Sequence, residues 1–197
     1  MVSIIIPTYN SQKTIGQCLK SINLQTYEKI EILVVDRGSS DETAEIAKKF
    51  KAKVFFLDDE RSAAKNYAVR KAHGEYIFFV DSDMALTPKI VEECVKKCVQ
   101  TSADAIIIPE KYIGQGLWGS IKKVEKTSSA SLNEIPRFFN KTAFIKAGGF
   151  DEKLVCGEDF DLFLRFKKAG CKVRHVHSPI LHFENEPSFY NVLAKAY

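Results

Sequence analysis

The sequence predicts an α/β fold: a single domain built on a mostly parallel, doubly wound sheet flanked by helices. Three observations carry this. Short runs of β-branched and aromatic residues, the pattern of buried parallel strands, alternate with amphipathic stretches of helix length. Polar clusters follow directly on three of the apolar runs, where such a sheet binds its ligands. With 197 residues, 45% hydrophobic and 27% charged, the chain can bury one sizeable core, is short for two, and is neither disordered nor collagen-like.

Taken in order, strands are expected at 3–6, 31–35, 53–57, 76–80 and 105–108, each a compact apolar run. Between them, apolar residues recur at helical spacing over 12–23, 42–50, 62–72 and 88–100. The last of these should open on a Thr87 cap with Pro88 at its first position. The first half therefore reads βαβαβαβαβ. After Pro109 the rhythm breaks, and 110–134, with its glycines, lysines and the lone Trp118, reads as an irregular, mobile excursion. A strand at 137–140, a short helix ending at Gly148-Gly149, a helix at 159–169 closed by Gly170 and strand material at 172–177 follow. His175 and His177 fall on one face of that last strand as structural residues. No repeat or linker interrupts the chain, so 1–109 and 110–187 read as two halves of one domain, with a terminal amphipathic helix at 188–197.

Charge and cysteines narrow the function. Lys and Arg number 29 against 25 Asp and Glu, a net +4 without a basic block, which is too mild and mixed to predict a nucleic-acid partner. Cys18, Cys94, Cys98, Cys156 and Cys171 lack CxxC spacing, so reduced thiols are expected rather than disulfides or a zinc site. No apolar run reaches the ~20 residues of a membrane span, and no secretory pattern opens the chain, so a cytoplasmic location is expected.

The chemistry should sit beyond the strands' carboxyl ends, at Pro7-Thr8-Tyr9-Asn10, at Asp36-Arg37-Gly38-Ser39-Ser40-Asp41 and at Asp81-Ser82-Asp83. The last group holds two carboxylates at the mouth of a buried strand. Such charges repel unless a cation joins them, and hard ions such as Mg²⁺ or Mn²⁺ take carboxylate oxygens together with substrate phosphates. No GxGxxG follows the first strand and no GxxxxGK[ST] occurs, which argues against dinucleotide and P-loop sites. Further on, Gly157-Glu158-Asp159-Phe160-Asp161-Leu162 places acids at a helix start. There a carboxylate either complements the helix dipole or serves as a general base.

These residues resemble the family-2 glycosyltransferases, inverting enzymes with the A-type glycosyltransferase fold, a Rossmann-like sheet flanked by helices. The resemblance runs from Val2 to about Glu184. It rests on residues 3–10, on 33–41, on Asn66 with 72–76, on Asp81-Ser82-Asp83, on Gly148-Gly149-Phe150-Asp151 and on 157–162. It implies a UDP- or GDP-sugar donor and a metal-assisted single displacement onto an acceptor hydroxyl. By position, Pro7, Thr8, Tyr9 and Asn10 would line the base and ribose pocket with Asp36 on the base. Asp81 and Ser82 would face the ribose and metal, Asp83 would ligate Mn²⁺ or Mg²⁺, and His182 would stand near metal and diphosphate. Arg61, Lys65 and Asn66 would lie over the diphosphate, although Lys65 stands where Arg is commoner and lacks its bidentate fork. Asp159 would be the catalytic base, with Glu158 its support or the base itself.

Two rivals stand beside this reading: a non-catalytic domain of the same family that binds a nucleotide sugar or a partner, and a nucleotidyltransferase. The second would need a glycine-rich basic loop after the first strand, and Pro7-Thr8-Tyr9-Asn10 is not one. Acceptor contacts are expected from 110–134, where Trp118 is open to stacking on a sugar or to ordinary packing. In 188–197, Phe189, Val192, Leu193 and Ala196 form one apolar helical face. That face would rest on a membrane surface, on a second subunit as a homodimer, or on the domain itself. The first case would make the protein peripheral at the inner face of the membrane.

Overall fold

The computed structural model describes residues 1–113, 135–154 and 156–183. The expected strands form as β1 (Val2–Thr8), β2 (Ile30–Asp36), β3 (Lys53–Phe56), β4 (Tyr76–Phe79) and β6 (Ala105–Ile107). The helices between them form as α1 (Ile15–Asn23), α2 (Thr43–Lys49), α3 (Arg61–Lys71) and α4 (Ile90–Thr101). With β8 (Pro136–Asn140) and β9 (Val173–His175) the strands make one seven-stranded sheet in the order β3-β2-β1-β4-β8-β6-β9. β1 pairs in parallel with β2 and β4, as do β2 with β3 and β6 with β9, whereas β8 runs antiparallel to both neighbours.

The sheet is covered on both faces because its buried strands are apolar on both. Val2, Ile4, Ile6, Val34 and Phe78 pack with residues of α1 and α4, whereas Ile5, Leu33, Val35, Ile77 and Phe79 pack with residues of α3, α5 (Lys141–Lys146) and α6 (Glu158–Lys168). On the second face Phe79, Phe139, Phe144, Phe150 and Phe166 stack largely edge to face, with centroids 5.1–5.9 Å apart. Helix α3 approaches closely there because its inward positions are small, at Ser62, Ala63, Ala64 and Ala68, all buried.

Several expectations need correction. Helix α4 begins at Ile90, not at Pro88: Lys89 takes the cap position without a side-chain cap bond, and the Thr87 hydroxyl donates to the Pro179 carbonyl, 3.0 Å away. Helix α1 likewise starts at Ile15, after a turn at 12–14. The start of the supposed excursion, Glu110–Ile113, is strand β7. It joins β5 (Met84–Leu86) and β10 (Ile180–Phe183) in a second sheet ordered β5-β10-β7 that the sequence pattern did not reveal. His177 lies beyond β9, so the two histidines do not share a strand. Trp118 and the 188–197 helix lie outside the described residues. Cys18, Cys94 and Cys98 are buried free thiols, as expected, and Cys156 and Cys171 are also unbridged. Among the described residues no helix is long and apolar enough to cross a membrane.

Phe139 touches Phe79, Phe144 and Phe166 at once. Phe139→Ala is therefore expected to cost about 3–5 kcal/mol and Phe139→Leu distinctly less, measured by urea unfolding.

Candidate functional site

At the ends of β1 and β2 the two loops brace each other. Asp36 is fully buried and accepts from the Thr8 hydroxyl (3.1 Å), the Ser39 amide (3.1 Å) and the Ser39 hydroxyl (2.5 Å). Asn10, at φ 47°, donates its amide to the Ser39 hydroxyl and accepts the Ser40 amide on its side-chain oxygen. The Thr8 hydroxyl, the Asn10 backbone amide and side-chain oxygen, and the Asp36 carboxylate are thus engaged within the protein. Tyr9, 60% exposed, is the aromatic that faces solvent at this end, while Pro7 is half-buried within β1.

Beyond β4 lie the two acids of Asp81-Ser82-Asp83, in different settings. Asp81 Oδ1 accepts from Arg61 (2.5 Å) and Oδ2 from Arg137 (3.2 Å), and its side chain is only 14% exposed. Burial pushes its carboxyl up, but the charges of Arg137, Arg61 and Lys65 outweigh this and hold it below the ordinary aspartate value. Beneath, the buried Cys18 thiol donates to the Asp81 carbonyl, and Ser82 donates to the Ser11 hydroxyl. Asp83 is 41% exposed and its Oδ2 lies 3.3 Å from His182 Nε2. His182 Nδ1 in turn lies 3.4 Å from Glu110 Oε2, so a second carboxylate orients the ring.

Arg137 ties these groups together. Because β8 runs antiparallel to β4, with Phe138 opposite Phe78, its first residues reach the rim where β4 ends. There the Arg137 guanidinium bonds both Asp81 and Glu110 Oε1 (2.6 Å). Burial opposes its charge, but these two carboxylates raise its pKa, with a further contribution from Asp159. Neither Arg137 nor Glu110 was singled out by sequence. Arg137 belongs to no motif, and Glu110 fell in the stretch without pattern.

The helix-start acids differ in the same way. Glycine at position 157, with φ 77°, turns the chain into α6. The Glu158 side chain is 11% exposed and that of Asp159 38%. Lys65, 2% exposed, reaches from α3 to Glu158 Oε1 (3.3 Å) and Asp159 Oδ1 (3.0 Å). Asn66 is also engaged elsewhere. Its amide donates to the Phe150 carbonyl (2.8 Å) and Glu152 (2.9 Å) and accepts the Phe150 amide, fixing the turn after α5. A Cβ at Gly149 would come within 2.8 Å of Asn66 Oδ1, at φ 67°, which explains the glycine. Asp161 holds Arg165 one turn on. An open groove of about 720 Å³ runs past Asn66, Gly149, Phe150 and Arg165; neither Asp81, Asp83 nor His182 lines it.

Among the described residues no cluster of three His, Cys, Asp or Glu side chains could hold a metal by itself. The exposed Asp83 carboxylate beside the carboxylate-oriented His182 nevertheless suits Mn²⁺ or Mg²⁺, which commonly take one or two protein ligands and complete their shell with phosphate oxygens and water.

The family profile described as Glycosyl transferase family 2 matches residues 3–154. The chain is 32% identical to a chondroitin synthase of Escherichia coli over 94% of its own length and 29% of the synthase. To a hyaluronan synthase of Pasteurella multocida it is 31% identical, over 94% of the chain and 21% of that enzyme. It thus spans under a third of these relatives. Among solved structures, Staphylococcus aureus TarS 1–349 in complex with UDP-GlcNAc superposes with TM-score 0.78 at 23% identity, covering 95% of this chain and 59% of that one. Mannosyltransferase PcManGT from Pyrobaculum calidifontis in complex with GDP-Man and Mn²⁺ gives 0.73 at 19%, covering 98% and 59%. At these identities the likeness establishes the fold, that of the A-type glycosyltransferases.

His182 titrates in the row that it forms with Asp83 and Glu110. Burial opposes charge on His182, but its two carboxylate partners win and raise its pKa from 6.5 to about 9. Stability from this row is therefore complete below pH 6.5 and lost as pH climbs through about 9. In metal-free urea unfolding, the deficit of His182→Gln relative to the unaltered protein should be largest in acid and shrink across that window. A deficit independent of pH would contradict the assignment.

Proposed function

The chain belongs to glycosyl transferase family 2, and from that premise we propose that it transfers a sugar from a UDP- or GDP-sugar to an acceptor hydroxyl with inversion at the anomeric carbon. One observation carries the reading. The Lys65 ammonium bonds the Glu158–Asp159 pair and acts electrostatically on Asp81, so the acids at the start of α6 share one electrostatic site with the acids beyond β4.

Tyr9 covers the base, with Pro7, Thr8, Asn10 and Asp36 bracing its loop and Ser82 and Asp81 beneath the ribose. Arg61, the more exposed of Asp81's two arginines, meets the diphosphate. Asp83 and His182 would hold Mn²⁺ or Mg²⁺, which when bound supplies positive charge to the departing diphosphate. Asp159, the more open member of its pair, takes the proton of the acceptor hydroxyl as that oxygen bonds to the anomeric carbon. The bond from that carbon to the diphosphate breaks, and its electron pair leaves with the nucleotide. The acceptor is a saccharide, a lipid-linked group or a protein, and substrate profiling of the unaltered protein beside Trp118→Ala distinguishes these classes and tests a stacking contact.

A donor screen tests this directly: nucleotide sugars with Mn²⁺ or Mg²⁺, reading nucleotide release and thermal shift. Release from at least one UDP- or GDP-sugar is expected, and silence across the panel would count against transfer. Asp83→Ala should abolish the metal-dependent thermal protection by UDP or GDP while the fold persists. Asp159→Asn should slow transfer by ~10²-fold or more with little change in donor affinity. If Glu158→Gln does the damage instead, the two acids exchange roles.

A further inference from the structure

Lys65 is the most deeply buried of the cationic groups at this site, and protein groups surround its ammonium. It stands on α3, and its ammonium sits 4.5 Å from the centroid of Phe150 and 5.8 Å from that of Phe79. An ammonium has three protons to place. Here Asp159 Oδ1 and Glu158 Oε1 accept from it and the aromatic faces enclose it. Removing a charge from water at this depth is costly unless such partners are fixed, so the group is held where it is and cannot swing out to a diphosphate at the rim.

The consequence falls on Asp159. One of its oxygens is pinned by Lys65, and among the described residues no hydrogen bond reaches Oδ2. The carboxylate therefore has one rotamer fixed from inside and one oxygen presented outward. Glu158, pinned by the same ammonium but far less exposed, presents much less. We propose that Lys65 is a positioning residue for Asp159, aiming its free oxygen at the acceptor hydroxyl, and is not a ligand of the donor. The proposal rests on the reading of Asp159 as the base.

A double-mutant cycle on the full chain separates the two. Lys65→Met, Asp159→Asn and the double variant are compared with the unaltered protein, using the donor that the screen identifies for turnover and UDP or GDP with Mn²⁺ for binding. Lys65→Met is expected to lower kcat by about tenfold or more while donor KM and nucleotide Kd stay within about twofold. In the Asp159→Asn background it should cost no more than about a further twofold, since a residue that acts through Asp159 has nothing left to position. Lys65→Arg, which keeps the charge, should recover most of the lost kcat without changing KM. Should Lys65→Met fail to fold, Lys65→Gln goes through the same cycle with the same expectation. A loss of nucleotide affinity of about tenfold in the Lys65 variant would make it a donor ligand and overturn the proposal, as would losses that multiply in the double variant. If Asp159→Asn turns over as the unaltered protein does, the assignment of the base falls first, and this role with it.

Discussion

The largely buried guanidinium of Arg137 is the joint on which the site depends. It stands on β8 in the large sheet and bonds at once to Asp81, at the end of neighbouring β4, and to Glu110, on β7 of the small sheet. Two carboxylates brought this close repel one another, and a planar fork of fixed donors can satisfy both. The consequence passes outward: Glu110 so held orients His182, and His182 meets Asp83. The backbone repeats the link, since the Phe183 amide donates to the Asp83 carbonyl. The antiparallel turn of β8 is thus a requirement of the site, because a parallel strand in its place would bring its other end to this rim.

A common logic governs the two acid pairs. In each, one member is tied inward by bases and the other faces out: Asp81 is clamped by Arg61 and Arg137 while Asp83 is open, and Glu158 is buried against Lys65 while Asp159 is open. A loop carrying a single carboxylate would be free to reorient. The inner acid anchors the loop or helix start to the scaffold, and the outer one, a residue or two along the chain, inherits a fixed position at the water boundary. Pre-positioned charge of this kind needs no reorganisation when a substrate arrives.

What could be read from the sequence divides along the same line. The strands β1, β2 and β4 were legible because burial on both faces demands an unbroken apolar run, and the acids were legible because they sit just past those runs or at a helix start. The small sheet was not. Met84–Leu86, Glu110–Ile113 and Ile180–Phe183 are three or four residues each, and β7 and β10 are only partly buried, so their composition carries little period. Arg137 escaped for a different reason, and so did the carboxylate partners of Lys65, a residue the resemblance placed over the diphosphate. A cation on a strand or helix reads as a solvated side chain, and what internalises it is a partner distant in sequence: Asp81 for Arg137, the start of α6 for Lys65.

The engagement of Lys65 with the start of α6, and of Asn66 with the turn after α5, has a cause in packing. Residues 62–64 and Ala68 are small enough to seat α3 tightly on the sheet, so the side chains at 65 and 66 emerge close beneath the turn after α5. That turn needs left-handed backbone at Gly148 and Gly149, and the second must leave room for Asn66 Oδ1. Phe150, carried by the turn, then closes over the ammonium. The two glycines, the small face of α3 and the buried lysine form one device, and its product is the fixed orientation of the acid at the start of α6. Of Arg61, Lys65 and Asn66, Arg61 is exposed, Asn66 half-buried and Lys65 buried, so the charge that this end of α3 presents to solvent is that of Arg61.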